Sequence, residues 1–106
     1  MRPEIKPILA ELKREFAAIY GDRLVKLVLF GSHARGEATA ESDIDVLVVL
    51  KGPVDDWEER QRTSEANAAL CLDHDVLTQR VFEPAGWLES GATSLARNIR
   101  REGVTV

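Results

Sequence analysis

A small α/β domain, with helices packed on a mixed β-sheet, is the fold class this sequence predicts. Three observations carry the prediction. An amphipathic helical segment opens the chain. Two apolar, strand-like runs follow it, separated by a short polar connection. Helical and strand-like stretches then alternate to the end. The 106 residues suit one compact domain, residues 1–106, able to bury a modest core.

The elements follow in order. Over residues 4–20, Ile5, Ile8, Leu9, Leu12, Phe16 and Ile19 recur at three- and four-residue steps among charged residues, which predicts a helix stopped by Gly21-Asp22. Leu24 to Phe30 reads as a strand, and residues 33–40 as a helical turn plus loop. Asp43 to Leu50 reads as a second strand, whose continuous apolar run from Val46 marks a strand covered on both faces. Lys51-Gly52-Pro53 breaks it. Asp55 or Asp56 caps a helix running to about Leu72, and Asp75 to Phe82 reads as a third strand. Residues 86–102 form a helix interrupted at Gly91 and ended by Gly103, with a short terminal strand at Val104-Thr105-Val106.

Composition narrows the function. Hydrophobic content of 44% and charged content of 30% are those of an ordinary globular chain. A net charge of −4 supplies no broad cationic footprint and argues against a nucleic-acid substrate. The single cysteine, Cys71, allows no internal disulfide. The start, Met1-Arg2-Pro3-Glu4, leads into a charged amphipathic stretch instead of a signal sequence, and no apolar run is long enough to span a bilayer. These features place the protein in the cytoplasm.

The chemistry concentrates where the first strand runs into Gly31-Ser32 and the second opens on Asp43-Ile44-Asp45. Aspartates at i and i+2 of a strand share one face, with Ile44 in the opposite layer. Two such carboxylates repel each other unless a cation compensates. Mg²⁺ takes a few carboxylates together with substrate phosphates and water. Gly31 permits close backbone approach to a ligand, amides of the following turn can point at a phosphate, and Ser32 adds a hydroxyl. Arg35 reaches a phosphate or clamps the loop through a carboxylate. Gly-Ser alone is a common turn and Asp-x-Asp a common strand start; their joint occurrence is what points to a metal-bound nucleoside triphosphate.

Gly31-Ser32-His33-Ala34-Arg35-Gly36 with Ser42-Asp43-Ile44-Asp45 resembles the signature of the DNA polymerase beta-like nucleotidyltransferases, specifically the minimal nucleotidyltransferases (MNT family). The Asp75-Val76-Leu77 stretch and the ending Asn98-Ile99-Arg100-Arg101-Glu102-Gly103 are similar to members of that group, so the resemblance spans essentially the whole chain. It implies transfer of AMP from ATP to a hydroxyl, with Mg²⁺, two ions in such sites, held by Asp43 and Asp45. It also implies a third carboxylate on a later strand that ligates metal and helps deprotonate the acceptor. Asp75 is the candidate, with Gln79 on its face and Asp73 as the rival. The resemblance further implies a HEPN-type toxin as partner, modified on a hydroxyl such as a tyrosine's, with this chain as the antitoxin. A homo-oligomer is left open. The competing readings are an antitoxin that acts by binding alone and a transferase for a small molecule of the aminoglycoside kind.

The remaining conspicuous residues have ordinary readings. His33 is expected as a partly exposed loop residue and His74 at a strand edge. Cys71 reads as a buried structural thiol, and Ser32 lacks the His/Asp relay of a nucleophile. Trp57 and Trp87 read as core packing. Arg97, Arg100 and Arg101 read as favourable charge near a helix C-terminus.

Overall fold

Helix α1 (Ile5–Tyr20) turns Ile5, Ile8, Leu9, Leu12, Phe16 and Tyr20 inward, as its apolar spacing requires. A single 3₁₀ turn, Gly21–Arg23, leads from it into β1 (Leu24–Phe30). The computed structural model describes residues 4–106, so the lead Met1-Arg2-Pro3 lies outside the described residues. A four-residue helix, α2 (Ser32–Arg35), and a loop connect β1 to β2 (Ile44–Leu50). Then come α3 (Asp56–His74), β3 (Thr78–Pro84), α4 (Trp87–Ser90), α5 (Ser94–Glu102) and β4 (Val104–Thr105).

The four strands form one mixed sheet in the order β3-β2-β1-β4. β1 runs antiparallel to β2, with Leu24 opposite Leu50 at one end and Phe30 opposite Asp45 at the other. The α3 crossover returns the chain so that β3 lies parallel to β2, with Asp45 beside Gln79. β2 is therefore central, and six of its seven residues are buried. Its side chains alternate between two cores. Ile44, Val46, Val48 and Leu50 pack with α1, Leu70 and Phe82 on one face. Leu47 and Val49 pack with Leu88 and Ile99 on the other, under α4 and α5. Asp43 and Asp45 share the parity of this second face.

Several boundaries differ from expectation, each for a local reason. The third strand begins at Thr78, not Asp75, because α3 runs two residues past Leu72 and Asp75 becomes its left-handed cap (φ 52°, ψ 50°), with Val76 N–H donating to Cys71 O. A short polar side chain makes that conformation accessible to aspartate. The final helix is two helices, α4 and α5. Gly91 ends the first, and Thr93 caps the second by accepting the Ala96 N–H at 3.0 Å. Asp55, one of the two expected caps, accepts the Glu58 N–H at 3.0 Å. Trp87 packs on the second core, but Trp57 is 72% exposed on the first turn of α3. His74 closes α3 instead of edging a strand, and its Nε2 lies 2.5 Å from Glu11. Cys71 is half-buried, 3.8 Å from the Thr78 hydroxyl. Arg97 and Arg100 donate to the carbonyls of Gly91 and Glu89, tying α5 to the turn before it.

At the Leu24/Leu50 end, a buried carboxylate braces the layers. Glu59 accepts from Tyr20 Oη at 3.0 Å, Arg23 Nη2 at 3.0 Å and Arg62 Nε at 3.1 Å. Burial alone raises a carboxyl pKa, but these three donors outweigh it and hold Glu59 below the usual glutamate range.

Candidate active site

The opposite end of β1 and β2 holds the residues singled out in the sequence. Gly31 follows the last residue of β1 with φ 75° and ψ −156°, a region open essentially to glycine alone. Space makes the same demand, since a Cβ at Gly31 would overlap the Asp45 carboxylate and stand 3.1 Å from its Cγ. The chain then turns through α2, with Arg35 N–H donating to Gly31 O at 3.1 Å, and leaves through the left-handed Gly36. Ser32 is half-buried at the start of this turn.

Two residues outside the expected set hold the turn in place. His33 is only 5% exposed, not a partly exposed loop residue, and its Nε2 lies 3.3 Å from Ser42 O. It thereby joins the Gly-Ser turn to the entry of β2. Its Nδ1 is one of two buried side-chain polar atoms without a partner among the described residues. Glu102, the last residue of α5, accepts the Gly31 N–H at 3.3 Å and pairs with Arg35 Nη1 at 3.1 Å. This pairing is the main reason the Arg35 guanidinium is held above its usual pKa. Gly103 makes the reach possible, because a Cβ there would meet Ile99 O and Val28 Cγ1 at 2.5 and 2.6 Å. Only a glycine lets α5 end this close to β1.

Asp43 and Asp45 stand on the same sheet face, as the strand period demands, and Ile44 packs in the opposite core. Gln79 Nε2 donates to Asp43 Oδ2 at 3.2 Å. Burial, then the neighbouring charge of Asp43, lifts the Asp45 carboxyl above its usual range. His33 and Arg35 oppose this rise, and Glu102 adds to it. Among the described residues no basic side chain forms an ion pair with either aspartate. Asp45 is thus a half-buried carboxylate with a like charge beside it, an arrangement a bound cation would relieve.

Gly31, Ser32, Arg35, Asp43 and Asp45 come together. Asp75 does not join them as a strand residue: it is exposed at the end of α3, and the β3 position beside Asp45 is occupied by Gln79. Among the described residues no third His, Cys, Asp or Glu completes a metal-binding group with the pair. Asp75 shares with Asp43 the rim of one surface groove. Gln79 could be anticipated only from the register of a parallel pair, and Glu102 only from a contact 71 residues away from Gly31 in sequence.

The family described as nucleotidyltransferase domain matches residues 9–101. A Methanocaldococcus jannaschii protein named, on inference, as a protein adenylyltransferase is 32% identical over 103 residues, 97% of this chain and 99% of that protein. A second protein of that organism with the same kind of name is 58% identical over 86 residues, 79% of each chain. Among solved structures, a toxin–antitoxin complex with AMP-PNP contains a chain that superposes with a TM-score of 0.65 at 22% identity, covering 91% of this chain and 69% of that one. The complex of a tri-AMPylated Shewanella oneidensis HEPN toxin with its MNT antitoxin gives 0.61 at 19% identity, with 94% and 69% covered. At these identities the two superpositions establish likeness of fold. No described helix is long and apolar enough to cross a membrane.

Proposed function

This chain belongs to the nucleotidyltransferase domain family, and from that premise we propose that it transfers AMP from ATP to a hydroxyl of a HEPN-type partner protein and so acts as that partner's antitoxin. The observation that carries the reading is the Asp43/Asp45 pair. Its two carboxylates share one face with no cation among the described residues paired to them, and Asp45 is held above its usual pKa. Such a pair lowers the stability of the chain that carries it unless a ligand compensates.

The donor set fits Mg²⁺, which is satisfied by a few carboxylates completed by phosphate oxygens and water. When bound, the metal would neutralise charge on the triphosphate and on the departing pyrophosphate. The chain's own residues do the positioning. The Gly31-Ser32 turn, whose first residue makes room for the Asp45 carboxylate, would offer the Ser32 hydroxyl and the amides that follow it to the phosphates. Arg35, held by Glu102, faces the same charge. Gln79 fixes one oxygen of Asp43 and so orients it. The acceptor oxygen attacks the α-phosphorus, the bond to the pyrophosphate oxygen breaks with its electron pair leaving on pyrophosphate, and the acceptor's proton passes to water. Asp75, exposed on the rim of the groove that Asp43 also lines, is the carboxylate that would help to draw off that proton.

Support from relatives is of the same kind. The named activity of the M. jannaschii proteins is protein adenylylation, and one solved complex pairs the fold with a tri-AMPylated HEPN toxin. The test is transfer of label from ATP marked on its α-phosphorus to the HEPN-type protein expected beside this chain's gene, followed by mass spectrometry. Wild type should add AMP. Asp43→Ala/Asp45→Ala should lose at least about 10³-fold in rate, the scale of removing principal electrostatic groups from an active site. Neutralisation of the partner without any AMP transfer would replace this reading with binding alone.

A further inference from the structure

Beside Asp43 the surface changes character. A groove of ≈ 450 Å³ leads away from the carboxylate, between the loop that enters β2 and the α3–β3 turn. Leu72 and Leu77 line it and are 83% and 65% exposed, although large aliphatic side chains are ordinarily buried. Between them the chain turns at Asp75, the one non-glycine residue with positive φ among the described residues. This turn sets both leucines at the groove. Every charged residue lining the groove is acidic: Glu41, Asp43 and Asp75.

We propose that this groove seats the acceptor, a protein segment that sets its hydroxyl at Asp43, lays an apolar side chain on Leu72 and Leu77, and turns a basic side chain toward Glu41 and Asp75. The inference rests on the nucleotidyl-transfer reading and adds the chemistry of what is modified. Charge selects the occupant. A triphosphate is repelled from a groove without a cation, and belongs instead on the Gly31 side, where Arg35 stands. An acidic segment is repelled for the same reason, and a purely polar cation leaves the two leucines in water. The two flanks of Asp43 and Asp45 thus divide the work: triphosphate toward the Gly31 turn, acceptor toward the α3–β3 turn. In the transfer, the acceptor O–P bond forms as the bond from the α-phosphorus to pyrophosphate breaks. Pyrophosphate leaves with the electron pair, and the acceptor proton passes to water.

Binding is measured by fluorescence anisotropy with two labelled peptides. One carries a tyrosine among leucines and arginines; the other is identical except that glutamates replace the arginines. The basic peptide should bind wild type and the acidic one should not. Leu72→Gln/Leu77→Gln and Glu41→Lys should each weaken the basic peptide by about tenfold or more. Both variants change exposed side chains, and ATP titrated with magnesium should bind them as it binds wild type, which certifies their fold. Equal binding of the two peptides, no binding of either, or variants that bind the basic peptide like wild type would overturn the proposal. Peptide capture requires no chemistry, so failure of the groove and failure of AMP transfer are read separately.

Discussion

Two carboxylates that share one small sheet meet opposite surroundings. Glu59, at the Leu24/Leu50 end, is buried, yet it receives a phenol and two guanidinium groups and is held below its ordinary pKa. Asp45, at the Phe30 end, is less buried, yet it meets the charge of Asp43 with no ion pair among the described residues to offset it and is held above its ordinary pKa. Cations of the chain pair with Glu59 at one end and with Glu102 at the other, and among the described residues none pairs with Asp43 or Asp45. Glu59 is part of the scaffold, tying α1, the turn before β1 and α3 together. Asp45 is part of a site whose missing charge must come with a ligand.

The comparison breaks first at Glu59. Glu59→Ala strands the Tyr20 hydroxyl and removes the common partner of Arg23 and Arg62, and should cost about 3 kcal/mol in urea unfolding. Its pH dependence follows from the direction of the shift. Stability from Glu59 is present above the ordinary glutamate pKa and is lost as pH falls through the lowered value in the folded chain. The acid limb of the wild-type stability curve should therefore be flattened in the variant. A variant that unfolds like wild type at neutral pH would remove Glu59 from the scaffold.

A smaller effect is expected at Gly31. Gly31→Ala places a methyl group on the Asp45 carboxylate and forces a backbone region that alanine avoids, at a cost of about 2 kcal/mol. Thermal unfolding together with ATP titration checks both consequences, since the carboxylate must also move from its place.

The smallest effect has the opposite sign. Asp45→Asn removes a repelled charge and should raise the melting temperature of metal-free protein at pH 7 by about 3–6 °C. The stability Asp45 contributes is present below the ordinary aspartate pKa and is lost as pH rises through the raised value in the folded chain. The gain in the variant should therefore vanish in acid. Saturating magnesium and nucleotide should reverse the order, stabilising wild type and not the variant. A variant less stable than wild type without metal would mean that Asp45 is a structural carboxylate like Glu59.

How far the sequence reaches differs between the two halves of the site. β1, the Gly31-Ser32 turn and β2 are readable because local patterns dictate them: an apolar run, a glycine where a carboxylate presses, and aspartates at the spacing of one strand face. The acceptor flank is not readable in the same way. Asp75 has the composition of a strand start, but the helix before it runs on and takes it as a left-handed cap. The strand position beside Asp45 then falls to Gln79, a consequence of parallel register that no local pattern displays. Glu102 and His33 are tertiary matters as well. One arrives from the end of α5 through the close packing of Gly103, and the other is buried by the loop it anchors. Trp57 departs the other way, an aromatic side chain left on the surface of an otherwise polar helix turn.

The central claim is that Asp43 and Asp45 form a cation site completed by a nucleotide, and calorimetric titration tests it most directly. ATP is titrated into wild type and into Asp43→Ala/Asp45→Ala, each with and without magnesium. The account requires binding by wild type that depends on magnesium, and its loss in the double variant. Equal binding by both proteins, or binding indifferent to magnesium, would contradict it.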